Sequence, residues 1–161
     1  MLPYHIVLVE PEIPANTGNI ARTCAATGTH LHLVRPLGFS TDDRELKRAG
    51  LDYWHAVNIF YYDSFDEVRR AHPEGRFFYA TKRAKRVYSD FAYREGDFFV
   101  FGKETKGLPQ TLLDENAEMC IRLPMTDKVR SLNLANTAAV VLYEALRQRG
   151  FPNMQASFEE Q

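Results

Sequence analysis

Three short polar segments, each following an apolar run, carry the residues of this chain that can do chemistry. The first is Pro14-Ala-Asn-Thr-Gly-Asn-Ile-Ala-Arg22, where Asn16 offers an amide and Arg22 a guanidinium. The second, Phe101-Gly-Lys-Glu-Thr-Lys-Gly-Leu-Pro109, sets the carboxylate of Glu104 just past an apolar run that ends at Gly102. The third runs from Ile121 to Asn136 and crowds Ser131, Asn133 and Asn136 beside Arg130, at the start of an apolar helix. Hydroxyl and amide side chains cap a helix start. With a cation beside them they also present donors to a ligand at the positive end of the helix dipole. One Ser or Asn suffices for a cap, so the surplus points to a binding loop. A guanidinium clamps phosphate or a developing oxyanion, and a carboxylate orients it or draws off a proton. Each residue has a plainer reading too: Arg22 as a surface charge, Asn16 as a turn residue, Glu104 as a solvated loop acid.

The elements that must position these residues alternate between strand and helix. Runs rich in Val, Ile, Phe and Tyr predict strands at His5 to Val9, Leu31 to Val34, Val57 to Tyr61, Phe77 to Ala80, Phe98 to Phe101 and Met119 to Leu123. Several are apolar throughout, as strands covered on both faces are. Helices are expected from Gly18 to Thr27, closed by Gly28 and capped by Asn16 and Thr17, and from Asp43 to Ala49, capped by Asp42 and closed by Gly50. A third spans Phe65 to Ala71 behind a Ser64–Glu67 capping box. A short one lies near Pro109 to Glu115, and the last runs from about Leu132 to Arg149, with an apolar face of Leu134, Ala138, Val141, Leu142, Ala145 and Leu146. The pattern is α/β, with a mainly parallel sheet and helices on both faces. Its three polar segments then leave the carboxyl ends of strands, where open α/β sheets bind ligands. One domain is expected over residues 1–152, with a flexible tail at 153–161.

Composition narrows the classes. A chain of 161 residues with 45% hydrophobic and 25% charged residues is ordinary globular material with a real core. The net charge of -1 does not announce nucleic-acid binding, so any hold on phosphate must be local. The amino terminus lacks the pattern of a signal peptide, and no apolar run is long enough to span a bilayer. Cys24 and Cys120 fall in predicted helix and strand, which suits buried, reduced thiols and a cytoplasmic location. No Cys/His spacing suggests a metal. Gly102-Lys-Glu-Thr-Lys-Gly107 has the outer spacing of a phosphate-binding loop, but Leu108 and Pro109 stand where Lys and Ser/Thr are required. The Rossmann fingerprint is absent as well.

Taken in order, Asn16…Arg22, Gly102-x-Glu104-x-x-Gly107, and Leu123-Pro-Met followed by Arg130-Ser-Leu-Asn133 resemble the three motifs of the SPOUT superfamily of RNA 2′-O-methyltransferases. The likeness extends through Val9-Glu-Pro-Glu-Ile-Pro, Arg35-Pro-Leu-Gly-Phe39 and Lys47-Arg-Ala-Gly-Leu-Asp52, and no motif position departs from it. In these stretches and in its size the chain is similar to the small TrmL/YibK-like tRNA (cytidine/uridine-34) 2′-O-methyltransferase group. The resemblance implies a C-terminal trefoil knot, a homodimer, and transfer of a methyl group from S-adenosyl-L-methionine to a ribose 2′-hydroxyl, without a metal and leaving S-adenosyl-L-homocysteine. Carried across by position, it implies cofactor contacts, largely through backbone groups, at Tyr79, Gly102, Leu123, Ser131 and Leu132. It implies catalytic roles for Arg22, Glu104, Asn16 and Asn133, with Arg22 either the base or a clamp on the oxyanion or phosphate. A guanidinium ordinarily keeps its proton, which favours the clamp.

Local basic clusters are the candidate contacts to tRNA: Arg44, Lys47 and Arg48, then Lys82, Arg83, Lys85 and Arg86, with Lys128 and Arg130 near the pocket. Tyr88 and Tyr93 beside the second cluster could stack on unpaired bases. The expected reaction is methylation of the wobble nucleotide of tRNA. The alternatives are another tRNA or rRNA position, or a catalytically silent knotted RNA-binding protein.

Overall fold

The computed structural model describes residues 1–158, and all of their side chains except those of residues 50–52. Six strands form one sheet in the order β3-β2-β1-β5-β4-β6. They are β1 (His5–Val9), β2 (His30–Val34), β3 (Ile59–Tyr62), β4 (Phe77–Ala80), β5 (Phe98–Phe101) and β6 (Cys120–Ile121). Every pairing is parallel. The helices between them are α1 (Pro14–Thr27), α2 (Arg44–Trp54), α3 (Phe65–Ala71), α4 (Gln110–Glu115) and α5 (Leu134–Gln148).

Side chains of successive strand residues point to opposite faces, so each apolar strand feeds two cores. Ile6, Leu8, Leu31, Leu33, Phe99 and Phe101 pack against Ile20, Ala21 and Cys24 of α1 and against Ala138, Val141, Leu142 and Ala145 of α5. Val7, Val9, Val34, Tyr79, Phe98 and Val100 pack with Val68 of α3 and Leu113 of α4 on the other face. A Leu or Ile buried completely in such a layer contributes about 1.5–3 kcal/mol.

Several boundaries differ from the sequence reading. Helix α1 starts at Pro14, whose fixed φ and missing N–H suit a first helical position, and Ile13 before it gives no side-chain cap. Asn16 and Thr17 therefore lie inside the first turn, buried, and do not cap it. Asp43 rather than Asp42 caps α2, accepting from the N–H groups of Glu45 (2.8 Å) and Leu46 (3.3 Å), and that helix runs past Gly50 to Trp54. Ser64 caps α3 as expected, but Glu67 reaches back to the N–H of Asp63 instead of Ser64. Helix α5 starts at Leu134 with Asn133 as its cap. Strand β6 keeps only two residues, because Met119 closes a 3-10 turn and Arg122 makes only a single bridge. Of the expected tail, Met154 packs against the core, and residues 159–161 lie outside the described residues.

The order of strands creates the crevice. From β1 the chain passes through α1 on one face to β2, and from β5 through α4 on the other face to β6. The adjacent strands β1 and β5 thus send their connections in opposite directions, which is the switch point where open α/β sheets bind ligands.

Candidate active site

Two loops meet across that crevice. After β5, a side chain on Gly102 would put its Cβ 2.1 Å from the carbonyl carbon of Gly107 and 2.3 Å from the nitrogen of Leu108. Only glycine lets residues 102–107 close on themselves, which they do through Gly107 N–H to Lys103 O (2.8 Å) with Gly107 at φ 67°. The side of Gly102 where a side chain would point is thus filled by the loop itself. The closed loop presents Glu104 to the segment after β1. Its carboxylate accepts from the N–H groups of Glu12 (3.1 Å) and Ile13 (2.6 Å). In return, the Glu12 carboxylate accepts from the N–H (3.0 Å) and hydroxyl (2.7 Å) of Thr105.

This reciprocal clamp sets the ionisation of both acids. Burial pushes the Glu104 carboxyl above the usual carboxylate range, against the pull of the Glu12 and Ile13 N–H groups. Glu12 is held below that range by the Thr105 hydroxyl and N–H, then by Lys103 and Lys106. Sequence reasoning missed Glu12 and Thr105. The one available signal was a carboxylate between Pro11 and Pro14, in a turn too stiff to move.

The third segment is joined to the first by one bond. Asn133 donates from Nδ2 to Oδ1 of Asn16 at 3.0 Å, across 117 positions of sequence. Its own Oδ1 accepts from the N–H of Asn136 at 3.2 Å. A single amide therefore caps α5 and ties it to α1, with Asn16 only 6% exposed. Next to Asn16, Thr17 is fully buried, and its hydroxyl has no partner among the described residues.

The structure thus unites Asn16 with Asn133, and Glu104 with the backbone entering α1. It does not unite Arg22 with Glu104. Arg22 is exposed, and its guanidinium lies 5.0 Å over the ring of Tyr53 on α2. Arg130, Ser131 and Leu132 are exposed on the segment between β6 and α5, whereas Leu123 is buried. The Tyr79 side chain is buried, and its hydroxyl accepts from Arg69, which also donates to Asn116.

Residues 123–132 leave their backbone donors open. None of their backbone N–H groups donates to a backbone carbonyl at hydrogen-bonding distance among the described residues. Such unpaired groups at the carboxyl ends of strands can hold a nucleoside by its edges and an amino acid by its charged ends.

Comparison with known proteins gives this arrangement its family. Residues 3–143 match the SpoU rRNA Methylase family. The chain belongs to that family. A Listeria monocytogenes (serotype 4b, strain F2365) protein, provisionally named a tRNA (cytidine(34)-2′-O)-methyltransferase, is 63% identical over 153 residues, which cover 93% of this chain and 90% of that one. A solved structure described as giving insight into 2-OH methylation of C/U34 on tRNA superposes with a TM-score of 0.88 at 45% identity, covering 92% of this chain and 97% of that one. An AdoMet-bound rRNA methyltransferase from Sinorhizobium meliloti gives a TM-score of 0.80 at 25% identity, covering 90% of this chain and 56% of that one.

The basic residues of this SpoU methylase divide into two kinds. Arg44, Lys47 and Arg48 are exposed on α2, the helix that also supplies Tyr53 under Arg22. After β4, Lys82 and Lys85 are exposed. Arg83 donates to Gln110 (2.5 Å), and Arg86 lies 3.7 Å over the ring of Phe91. Tyr93 is withdrawn from any stacking role: it is buried against Phe78 and Phe99, and its hydroxyl donates to the carbonyl of Tyr88. Among the described residues no group of three His, Cys, Asp or Glu side chains is placed to hold a metal ion, and no helix is long and apolar enough to cross a membrane.

Proposed function

We propose that this protein is a tRNA 2′-O-methyltransferase that uses S-adenosyl-L-methionine to methylate the ribose of nucleotide 34, a cytidine or modified uridine. The observation that carries the reading is the joining of three loops at one switch point, through Asn16–Asn133 and through Glu104 to Glu12 and Ile13. The substrate comes from the 63% identical Listeria relative and from the solved structure concerned with C/U34. When bound, S-adenosyl-L-methionine supplies a methyl group on a sulfonium, electrophilic enough to need no metal.

The protein's own residues supply position and charge. The backbone of residues 123–132, with Ser131 and Leu132, would hold the cofactor, and the Glu104–Glu12 clamp fixes the wall beside it. The exposed guanidinium of Arg22 is placed to pair with the phosphate next to the target ribose. There it lowers the energy of the oxygen as the hydroxyl proton departs. Holding the two reacting groups in line accounts for most of the rate, as expected where no group of the chain bonds covalently to substrate. Arg44 and Arg48 on α2, with Lys82, Arg83, Arg86 and Arg130, would hold the RNA backbone. The reading includes a C-terminal trefoil knot closed by the segment before α5, a homodimer and a cytoplasmic location.

The test is transfer of labelled methyl to total tRNA, followed by nuclease mapping of the modified ribose. Label at nucleotide 34 is expected. Label in another ribose overturns the position assigned, and no transfer to any RNA overturns the activity.

A further inference from the structure

Beyond the crevice, the same rim of the sheet carries a groove of about 480 Å³ lined by Arg35, Leu37, Phe39, Thr41 and Tyr61. We propose that this groove receives an unpaired nucleotide next to the one methylated, its base stacked on Tyr61 and Phe39 and its phosphate held by Arg35. The proposal rests on the RNA methyltransferase reading above and gives a role to the Arg35–Phe39 stretch of the likeness, which lies outside the three motifs and the basic clusters.

The chemistry of the lining carries the inference. Tyr61 is an exposed aromatic on the edge strand β3, and Arg35 follows the last residue of β2. Arg35 places its guanidinium 5.1 Å from the centre of the Tyr61 ring. Its only ion pair among the described residues is with Asp63 at 3.4 Å, and both side chains are largely exposed. An exposed pair of this kind contributes little and exchanges readily for another anion. An aromatic face, a guanidinium and the Thr41 hydroxyl form the set that binds single-stranded RNA, because every base has a π-face and every nucleotide a phosphate.

Position adds a second argument. The loop that holds Leu37 and Phe39 is pressed against the catalytic rim at Gly38. Gly38 N–H donates to Pro11 O at 2.9 Å, and a Cβ on Gly38 would meet Glu12 Cα at 2.8 Å. Glu12 is the residue gripped by Glu104 and Thr105. The groove is therefore built onto the clamp rather than hung on a free loop. It opens above β2 and β3, one and two strand spacings from β1, or about 5–10 Å to the side of the crevice. A nucleotide flanking the target falls within that span.

Tyr61→Ala, Tyr61→Phe and Arg35→Ala test it, because exposed side chains are removed without opening the core. In steady-state methylation of tRNA, Tyr61→Ala is expected to raise KM for tRNA about five- to hundredfold, the worth of one base–aromatic stack. The kcat at saturating tRNA and the affinity for S-adenosylmethionine by calorimetry should stay at wild-type values. Tyr61→Phe should restore KM, since the ring stacks without its hydroxyl, and Arg35→Ala should raise KM and weaken its dependence on salt. An active wild type with KM unchanged in Tyr61→Ala overturns the groove alone. A wild type that methylates no RNA overturns the activity reading, and this one with it.

Discussion

Acid should destabilise this protein through a cluster at the amino ends of the strands, away from the site. His32 on β2 is wholly buried, its Nε2 lies 2.9 Å from Nδ1 of His5 on β1, and its Nδ1 lies 3.0 Å from the hydroxyl of Tyr62 on β3. His30 and His72 stand beside the pair, with ring centres 5.2 Å from His5 and 5.3 Å from His32 respectively, while Phe60 and Phe98 pack against the rings. Within the His5–His32 bond one ring donates and the other accepts, so two imidazolium ions cannot share it. Burial first, then His5, His72 and His30, pushes His32 down to about 3. Burial and then His30 and His72 take His5 to about 3 as well.

The unfolded chain binds these protons near pH 6.5, and the folded chain only near pH 3. Stability is therefore complete above pH 6.5 and drains as pH falls through the window down to 3. For His32 alone, going from pH 7 to pH 5 removes about 2 kcal/mol. That lowers Tm by roughly 4–8 °C for a domain of this size. His5 is only partly buried and adds to the loss in the same direction. The assay is thermal unfolding followed by circular dichroism between pH 7 and pH 5, for wild type and His32→Phe. Phenylalanine keeps a ring against Phe60 and Phe98 but cannot titrate, so the slope with pH should shrink by the share of His32, whatever the variant's absolute stability. A wild-type Tm level across this range, or an equal slope in the variant, refutes the assignment.

Three further substitutions separate the roles of the site residues. Arg22→Ala is expected to abolish measurable methyl transfer while calorimetry finds most of the affinity for S-adenosylmethionine intact; equal loss of both would place Arg22 at the cofactor instead. Asn133→Ala removes the cap of α5 and the tie to Asn16, and should cost about 1–2 kcal/mol in urea unfolding, with a further loss of cofactor affinity. If stability alone falls, the tie does not shape the pocket. Thr17→Val keeps the shape of a buried side chain and deletes a hydroxyl with no partner among the described residues, so Tm should hold or rise. A clear drop in Tm would show that the hydroxyl is bonded in solution.

What could be read in the sequence was local. The apolar runs His-Ile-Val-Leu-Val and Phe-Phe-Val-Phe give β1 and β5 to the residue, because strands covered on both faces need apolar side chains at every position. Caps were less legible. Asp42 and Asp43 are chemically alike, and only the backbone direction chooses between them. Asn16 and Thr17 have the composition of caps, yet Pro14 starts the helix ahead of them and turns both inward. The partners of the polar residues were out of reach, since Glu104 finds its donors 91 and 92 positions away and Asn133 its acceptor 117 positions away. No periodicity encodes such pairings; they follow from the order of the strands.

Those pairings also redistribute the chemistry among the residues that spacing singled out. Asn16, Asn133 and Glu104 spend hydrogen-bonding capacity on the chain itself, and Glu104 accepts two backbone N–H groups in a partly buried site. A carboxylate so engaged would have to give up a charge-assisted bond at 2.6 Å before it could take a proton or turn to Arg22. These three residues are best placed to hold loops in register. Among the described residues, groups still free to meet a ligand are Arg22, Arg130, Ser131 and the backbone of residues 124–132, all outside the core. On the function proposed above, proton removal from the ribose falls to the RNA phosphate or to solvent, with Arg22 holding the charge. Replacing Glu104 by Gln should accordingly weaken the loops wherever Glu104 is ionised without moving the pH profile of kcat, whereas a general base would carry that profile with it.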